Sequence, residues 1–199
     1  MLTRADITAL ILAGGQASRF NGKDKGLIEF RGSPMISHVI NKLKPQVDHF
    51  LISANRNIEQ YNAYGYPVIQ DSINDLDKLQ GPLAGLLQGM QQASTPWLLL
   101  SPCDTPFIDT DYCSRMIEAL GNKQDHLVVA TSEQRLQPLF ALVPVSFEKQ
   151  LKDSLSGKMY KAGQWMISMP HIKLEFSSRE MFFNINSEED MLQADITNG

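Results

Sequence analysis

Apolar residues in this chain come in short runs, and polar stretches with a helical period separate them. The run "ITALIL" (residues 7–12) is six residues long and stops at glycines, which predicts a buried strand. The same pattern predicts strands at "DHFLISA", "PWLLLSP", "HLVVAT", "PLFALVPV" and "HIKLEF". Between them, "PMISHVINKL" predicts a helix with Pro34 in its first turn, where a missing N–H costs little. "PLAGLLQGMQQA" predicts a helix starting at Pro82, and "DYCSRMIEALGNK" one ending at Gly121. "SFEKQLKDSL" predicts a helix capped by Ser146. "NSEEDMLQADI" predicts a last helix with Ser187 and Asp190 as a capping box.

Strands that alternate with helices predict an α/β fold, a three-layer open sheet that is mostly parallel and Rossmann-like. The least regular stretch, "DSINDLDKLQGP", is expected to be a surface loop. No repeat or low-complexity linker interrupts the pattern, so residues 1–199 are expected to form one domain. In open α/β sheets ligands bind beyond the carboxyl ends of the strands. Four such ends carry polar residues: "AGGQASRF", "SANR", "IQDS" after Val68-Ile69, and "SPCDTP".

Composition narrows the functions available. The chain is 43% apolar with a net charge of −4, which argues against a large nucleic-acid footprint. No apolar run approaches the roughly 20 residues of a membrane span. The N-terminal apolar stretch is too short for a signal peptide, so a cytoplasmic location is expected. The two cysteines, Cys103 and Cys113, do not form a CxxC pair, which argues against zinc. The four histidines are scattered and suggest no role.

The stretch after the first strand, "LAGGQASRFNGKDKG", is rich in glycine and cations. It is not a dinucleotide fingerprint, because Gln16-Ala17-Ser18-Arg19 follows Gly15. It is not a Walker loop either, because Lys23 is followed by Asp24. What remains is L-A-G-G-x-x-x-R-x-x-G-x-x-K. Gly14 and Gly15 permit positive φ and close approach of backbone N–H groups to oxyanions. Arg19 and Lys25 bring charge to the β- and γ-phosphates of a nucleotide. The same residues would also serve a plain strand-to-helix turn with solvated cations. At the fourth strand end, Asp104 suits a Mg²⁺ ion completed by water and phosphates, or equally the turn before Pro106. Cys103 reads as packing, with its side chain opposite to that of Asp104. Trp165 and Met166 read as core at helical spacing.

"LAGGQASRFNGKDKGL" resembles the signature of nucleotidyltransferases that join a nucleoside triphosphate to a phosphorylated acceptor. Together with "GSPMISHVI", "SANRN", "VIQDS", "GPLAGLLQGMQ", "LLLSPCDTPFI", "QPLFALV" and "FFNINSEEDM", in that order, the chain is similar to the molybdenum cofactor guanylyltransferase family. The resemblance implies transfer of GMP from GTP to molybdopterin, with release of pyrophosphate. It implies Mg²⁺ on Asp104, with Arg19 and Lys25 completing the catalytic set. Backbone groups of Leu12, Ala13, Gly14 and Gly15, with Lys25, Asn55, Asp71 and Asp104, are implied to bind the nucleotide. Ser53, which stands where the family often has asparagine, is implied to bind the nucleotide too, through one hydrogen bond where an amide would make a pair. On the acceptor side the resemblance implies Gly81, Gly85, Lys161, Asn184 and Asn186, with Lys158 beside Lys161. The last two asparagines lie two apart, hence on one face if the segment is extended. It also implies transient contact with molybdenum-insertion proteins or molybdoenzyme chaperones.

Three other readings share parts of this pattern. CTP-dependent cytidylyltransferases of the same fold typically read A-A-G where this chain has Ala13-Gly14-Gly15. Sugar-1-phosphate nucleotidyltransferases are usually longer. A GTP-binding module without turnover would keep the loop.

Overall fold

The structure is a computed structural model that describes residues 2–14, 24–71 and 81–197. Gly15 and Arg19 lie outside the described residues, as does most of the expected surface loop. Strand β1 (Ile7–Leu12) is followed by the short hairpin β2 (Glu29–Phe30) and β3 (Ser33–Pro34) and by helix α1 (Met35–Leu43). Next come β4 (His49–Ser53), α2 (Ile58–Asn62), β5 (Val68–Ile69), α3 (Pro82–Gln92) and β6 (Trp97–Pro102). The rest of the chain forms α4 (Tyr112–Leu120), β7 (Leu127–Ser132), β8 (Arg135–Pro144), α5 (Glu148–Ser156), α6 (Ala162–Ser168), β9 (His171–Glu175) and α7 (Glu188–Thr197).

Among the described residues the main sheet runs β5-β4-β1-β6-β8-β7-β9. It is parallel except for β8, which is antiparallel to both β6 and β7. Glu133 and Gln134 make the turn into β8 with φ of 50° and 62°. A two-residue turn with both φ positive matches the twist of a hairpin and reverses the chain at once. Neither residue is the glycine or asparagine that normally signals such a turn.

Period-two alternation along the strands divides the core. Ile7, Ala9 and Ile11 of β1, with Leu99 of β6 and Leu142 of β8, pack against α1 and α4. Leu10, Leu98, Leu100 and Val143 pack on the opposite face against α3, α5 and α6, where Trp165 and Met166 are fully buried as expected from their spacing. Helices therefore cover both faces, giving the three-layer α/β architecture. A third cluster joins Ile28, Phe30 and Met35 to Ile185 and Ala194. It folds the C-terminal segment back over the stretch that follows the glycine loop. No helix among the described residues is long and apolar enough to cross a membrane.

Three helix starts differ from expectation. Pro34 is the N-cap of α1 and precedes the helix. Ser146 lies in a 3₁₀ turn, and α5 begins at Glu148 with Phe147 at its N-cap. Ser187 Oγ does accept from the N–H of Asp190 (3.2 Å). The Asp190 carboxylate, however, accepts from the N–H of Asn186 (2.8 Å) in place of Ser187, one residue earlier than a capping box requires. That bond fixes the backbone of Asn186.

Candidate active site

The strand ends open onto a cavity of about 650 Å³. Leu12 and Gly14 line it after β1; Ser53, Asn55 and Arg56 after β4; Asp71 after β5; and Cys103 and Asp104 after β6. Gly81, Pro82 and Gly85 enter from the start of α3, and Lys25, Leu139 and Asn184 complete the wall. This is the crevice that an open parallel sheet offers to ligands.

Lys25, Asp104 and Asn186 converge on one wall. Lys25 Nζ donates to Asp104 Oδ2 at 3.0 Å and also to Asn186 Oδ1. The lysine side chain is 21% exposed and the aspartate 10%, so the pair is poorly screened by water. The N–H of Ile185 donates to the backbone carbonyl of Asp104 (2.9 Å). Burial of Ile185 in the third core cluster thus carries Asn184 and Asn186 to the end of β6. The two asparagines have separate places: Asn184 lines the cavity, and the Asn186 side chain holds Lys25. Cys103 packs into the α1 and α4 core beside Asp104, and burial pushes its thiol well above the ordinary range, so it stays neutral.

On the opposite wall Asn55 and Asp71 hold each other. Asn55 Nδ2 donates to Asp71 Oδ2 (2.7 Å), and the Asp71 backbone N–H donates to Asn55 Oδ1 (2.9 Å). The second carboxylate oxygen, Asp71 Oδ1, is buried without a hydrogen-bond partner among the described residues. Burial raises the Asp71 carboxyl above the usual range, and the Asn55 hydrogen bond opposes that only in part. An unpaired buried acceptor in a cavity wall suits a ligand that brings a donor.

The glycines differ in what they allow. Gly81 has φ of +125°, a conformation that side chains disfavour. A Cβ on Gly85 would lie 2.5 Å from Ser53 Oγ and 3.0 Å from Leu12 Cδ2, so its bare backbone lets α3 sit against the ends of β1 and β4. Gly14 does not have positive φ, and among the described residues a Cβ there would meet only Asn55 Nδ2, at 3.7 Å. Its φ does not call for glycine, and its described neighbours leave room for a Cβ. Two nearby main-chain groups expected to face the base are engaged in the sheet: the N–H of Ala13 donates to Ser53 O (2.8 Å), and Leu12 O accepts from the N–H of Cys103 (3.2 Å).

Lys161 is the exposed N-cap of α6 and does not line the cavity, and neither does Lys158, which has φ of 65°. Arg56 does line it, although sequence reasoning gave it no role. Its place in "SANR", directly after the second strand, was the available signal. Among the described residues no three His, Cys, Asp or Glu side chains cluster as a closed metal cage. Asp104 offers hard carboxylate oxygens to the cavity, and Asn186 Oδ1 meets the same Lys25 Nζ. That set fits a small divalent cation whose shell is completed by water and substrate phosphates.

Residues 9–171 match the MobA-like NTP transferase domain. A molybdenum cofactor guanylyltransferase of Cupriavidus taiwanensis is 39% identical over 196 residues, covering 96% of this chain and 97% of that protein. The guanylyltransferase of Yersinia pseudotuberculosis is 40% identical over 186 residues, with 93% of each chain covered. Among solved structures, the molybdopterin-guanine dinucleotide biosynthesis protein A of Archaeoglobus fulgidus superposes with a TM-score of 0.76 at 18% identity, covering 96% of this chain and 97% of that one. With the strand-end cavity and its Lys25–Asp104 wall, the match over nearly the whole length leads to one conclusion: the chain belongs to the MobA-like NTP transferase family, in the branch of the molybdenum cofactor guanylyltransferases.

Proposed function

We propose that this enzyme transfers GMP from GTP to molybdopterin, forming molybdopterin guanine dinucleotide and pyrophosphate, and that residues 1–199 act as one domain. A terminal phosphate oxygen of molybdopterin attacks the α-phosphorus of GTP in line. The bond from that phosphorus to the bridging oxygen of the β-phosphate breaks, and pyrophosphate leaves. The attacking phosphate is already an anion, so no side chain has to remove a proton. The observation that carries this reading is the Lys25–Asp104 pair on the cavity wall, a cation and a carboxylate placed where a triphosphate would lie beside β1 and β6.

Lys25, with Arg19, neutralises the phosphates and the charge that develops as the bond breaks. Asp104 would hold Mg²⁺, which supplies further charge neutralisation between the two anionic substrates, with Asn184 and Asn186 on the acceptor side of it. The Asn55–Asp71 pair receives the guanine or ribose end: Asp71 Oδ1 accepts from guanine N1–H and N2–H₂ or from a ribose hydroxyl. Gly14, with Leu12, Ala13 and Gly15, lets the purine lie close to the backbone, and Ser53 supports that floor from beneath Gly85. The start of α3 at Gly81 and Gly85 receives the acceptor, and Lys161, outside the cavity wall, adds a cation for its phosphate. Product hand-over follows by transient contact with molybdenum-insertion proteins or molybdoenzyme chaperones in the cytoplasm.

The test is competition between equal GTP and CTP with limiting molybdopterin and Mg²⁺, followed by analysis of the dinucleotide. Guanine dinucleotide with stoichiometric pyrophosphate is expected. Cytosine dinucleotide would overturn the base assignment, and GTP binding without pyrophosphate release would leave a binding module.

A further inference from the structure

Asp24, immediately before Lys25, is 5% exposed. Its carboxylate bonds to neutral groups. Tyr61 Oη donates to Oδ1 at 2.5 Å, and Asn57 Nδ2 donates to Oδ2 over a longer 3.4 Å. Tyr61 belongs to α2 and is fully buried, and that burial drives its phenol far above the ordinary range, so it remains a donor at every physiological pH. Asn57 is the N-cap of α2 with φ of 52° in the left-handed region, an unusual conformation that leaves its amide beside Asp24. On the far side of Lys25, a Cβ on Gly26 would lie 2.6 Å from Tyr61 Oη, so glycine is what lets the chain approach the phenol. The N–H of Leu27 donates to the Asp24 carbonyl (3.0 Å) and closes the 3₁₀ turn that carries Lys25.

A buried carboxylate is a costly way to fill space, and an apolar residue of similar volume often does so with less penalty. What Asp24 adds is direction. Its two oxygens tie the start of the turn to α2, while Lys25 reaches Asp104 and Asn186. We infer that Asp24, held by Tyr61 and Asn57, is a positioning residue that sets Lys25 against the polyphosphate, a role that rests on the reading of Lys25 given above. It touches no substrate and acts only through the lysine.

The test is a double-mutant cycle on the full chain, with GTP affinity and pyrophosphate release both measured. Asp24→Asn and Tyr61→Phe should each lower kcat/KM for GTP on the order of tenfold to a hundredfold, as small misplacements of a reacting site do. In a Lys25→Ala background the same substitutions should change GTP affinity and kcat/KM by no more than about twofold, because the group they position is gone. Equal losses in both backgrounds would overturn the inference, since a merely structural role does not depend on Lys25. Full activity per folded molecule in Tyr61→Phe would overturn it too. If Asp24→Asn fails to fold, Tyr61→Phe, which removes one oxygen, decides alone. A wild-type chain that binds GTP without turnover counts against the proposed function only, and the affinity arm of the cycle then carries this test.

Discussion

Lys25 Nζ lies 3.0 Å from Asp104 Oδ2, although the two residues are 79 positions apart in the sequence. Each suits a different part of the same ligand, the lysine its phosphates and the aspartate its metal. In this structure they satisfy each other. A bound triphosphate and cation would replace one ion pair with two, so ligand entry exchanges partners and strands no buried charge.

Asp104→Ala should therefore abolish turnover, by a hundredfold or more on the scale of losing a metal ligand. Asp104→Asn keeps an oxygen for Lys25 but removes its counter-charge, so it should fold with a loss of about 1–3 kcal/mol and lose activity comparably. Pyrophosphate release and thermal melting of both variants check this. Removing the divalent cation with chelator should silence the wild type, and Mg²⁺ should restore it. Near-normal turnover in either variant would place the cation elsewhere.

Gly85→Ala should destabilise the protein by about 1–3 kcal/mol, the usual cost of overpacking. The added Cβ would meet Ser53 Oγ at 2.5 Å. Adding Ser53→Ala removes that oxygen and should recover part of the loss, leaving contacts to Leu12 Cδ2 at 3.0 Å and to the Ser53 Cβ at 3.4 Å. Denaturant melts of the single and double variants give the coupling directly. Additive effects would mean that α3 shifts and the serine does not yield.

Asp71→Asn should trade binding for stability. Its raised carboxyl favours the protonated form in the folded state. That contribution is fully present below the ordinary value of 3.8 and is lost as pH rises through the raised folded value. At pH 7 the ionised group costs stability, and a neutral amide removes the cost. The melting temperature should rise by about 1–3 °C at pH 7 and show no gain at pH 3. GTP affinity should fall at the same time. A variant less stable at pH 7 would mean that the Asn55 bonds outweigh desolvation.

Gly14→Ala should leave the unliganded protein intact, or stabilise it by up to about 1 kcal/mol through a less flexible unfolded chain. Its Cβ would meet Asn55 Nδ2 at an ordinary 3.7 Å. In competition assays GTP use should fall more than CTP use, since the larger base needs the closer approach. Equal loss for both nucleotides would make Gly14 a turn residue without a role in base choice.

The layers and the site's address were legible from residue pattern. Every strand that buries two faces reads as a short apolar run, and burial is a property that each residue carries with it. The polar ends "SANR", "IQDS" and "SPCDTP" stood out because they interrupt such runs, and a parallel sheet brings its carboxyl ends to one side. What the pattern could not carry were relations between residues. The reversal at β8 turns on Glu133 and Gln134, whose side chains give no sign of positive φ. Gly85 and Ser53 meet only because α3 crosses the ends of β1 and β4. Asn186 reaches Lys25 only because Ile185 is buried among Ile28, Phe30 and Met35. Asp24 looks like any polar residue of a loop until Tyr61 is packed behind it. Periodicity records which face of an element is dry. Hydrogen bonds and ion pairs between short polar side chains have no period, and they exist only once the core has brought distant elements within about 3 Å of each other.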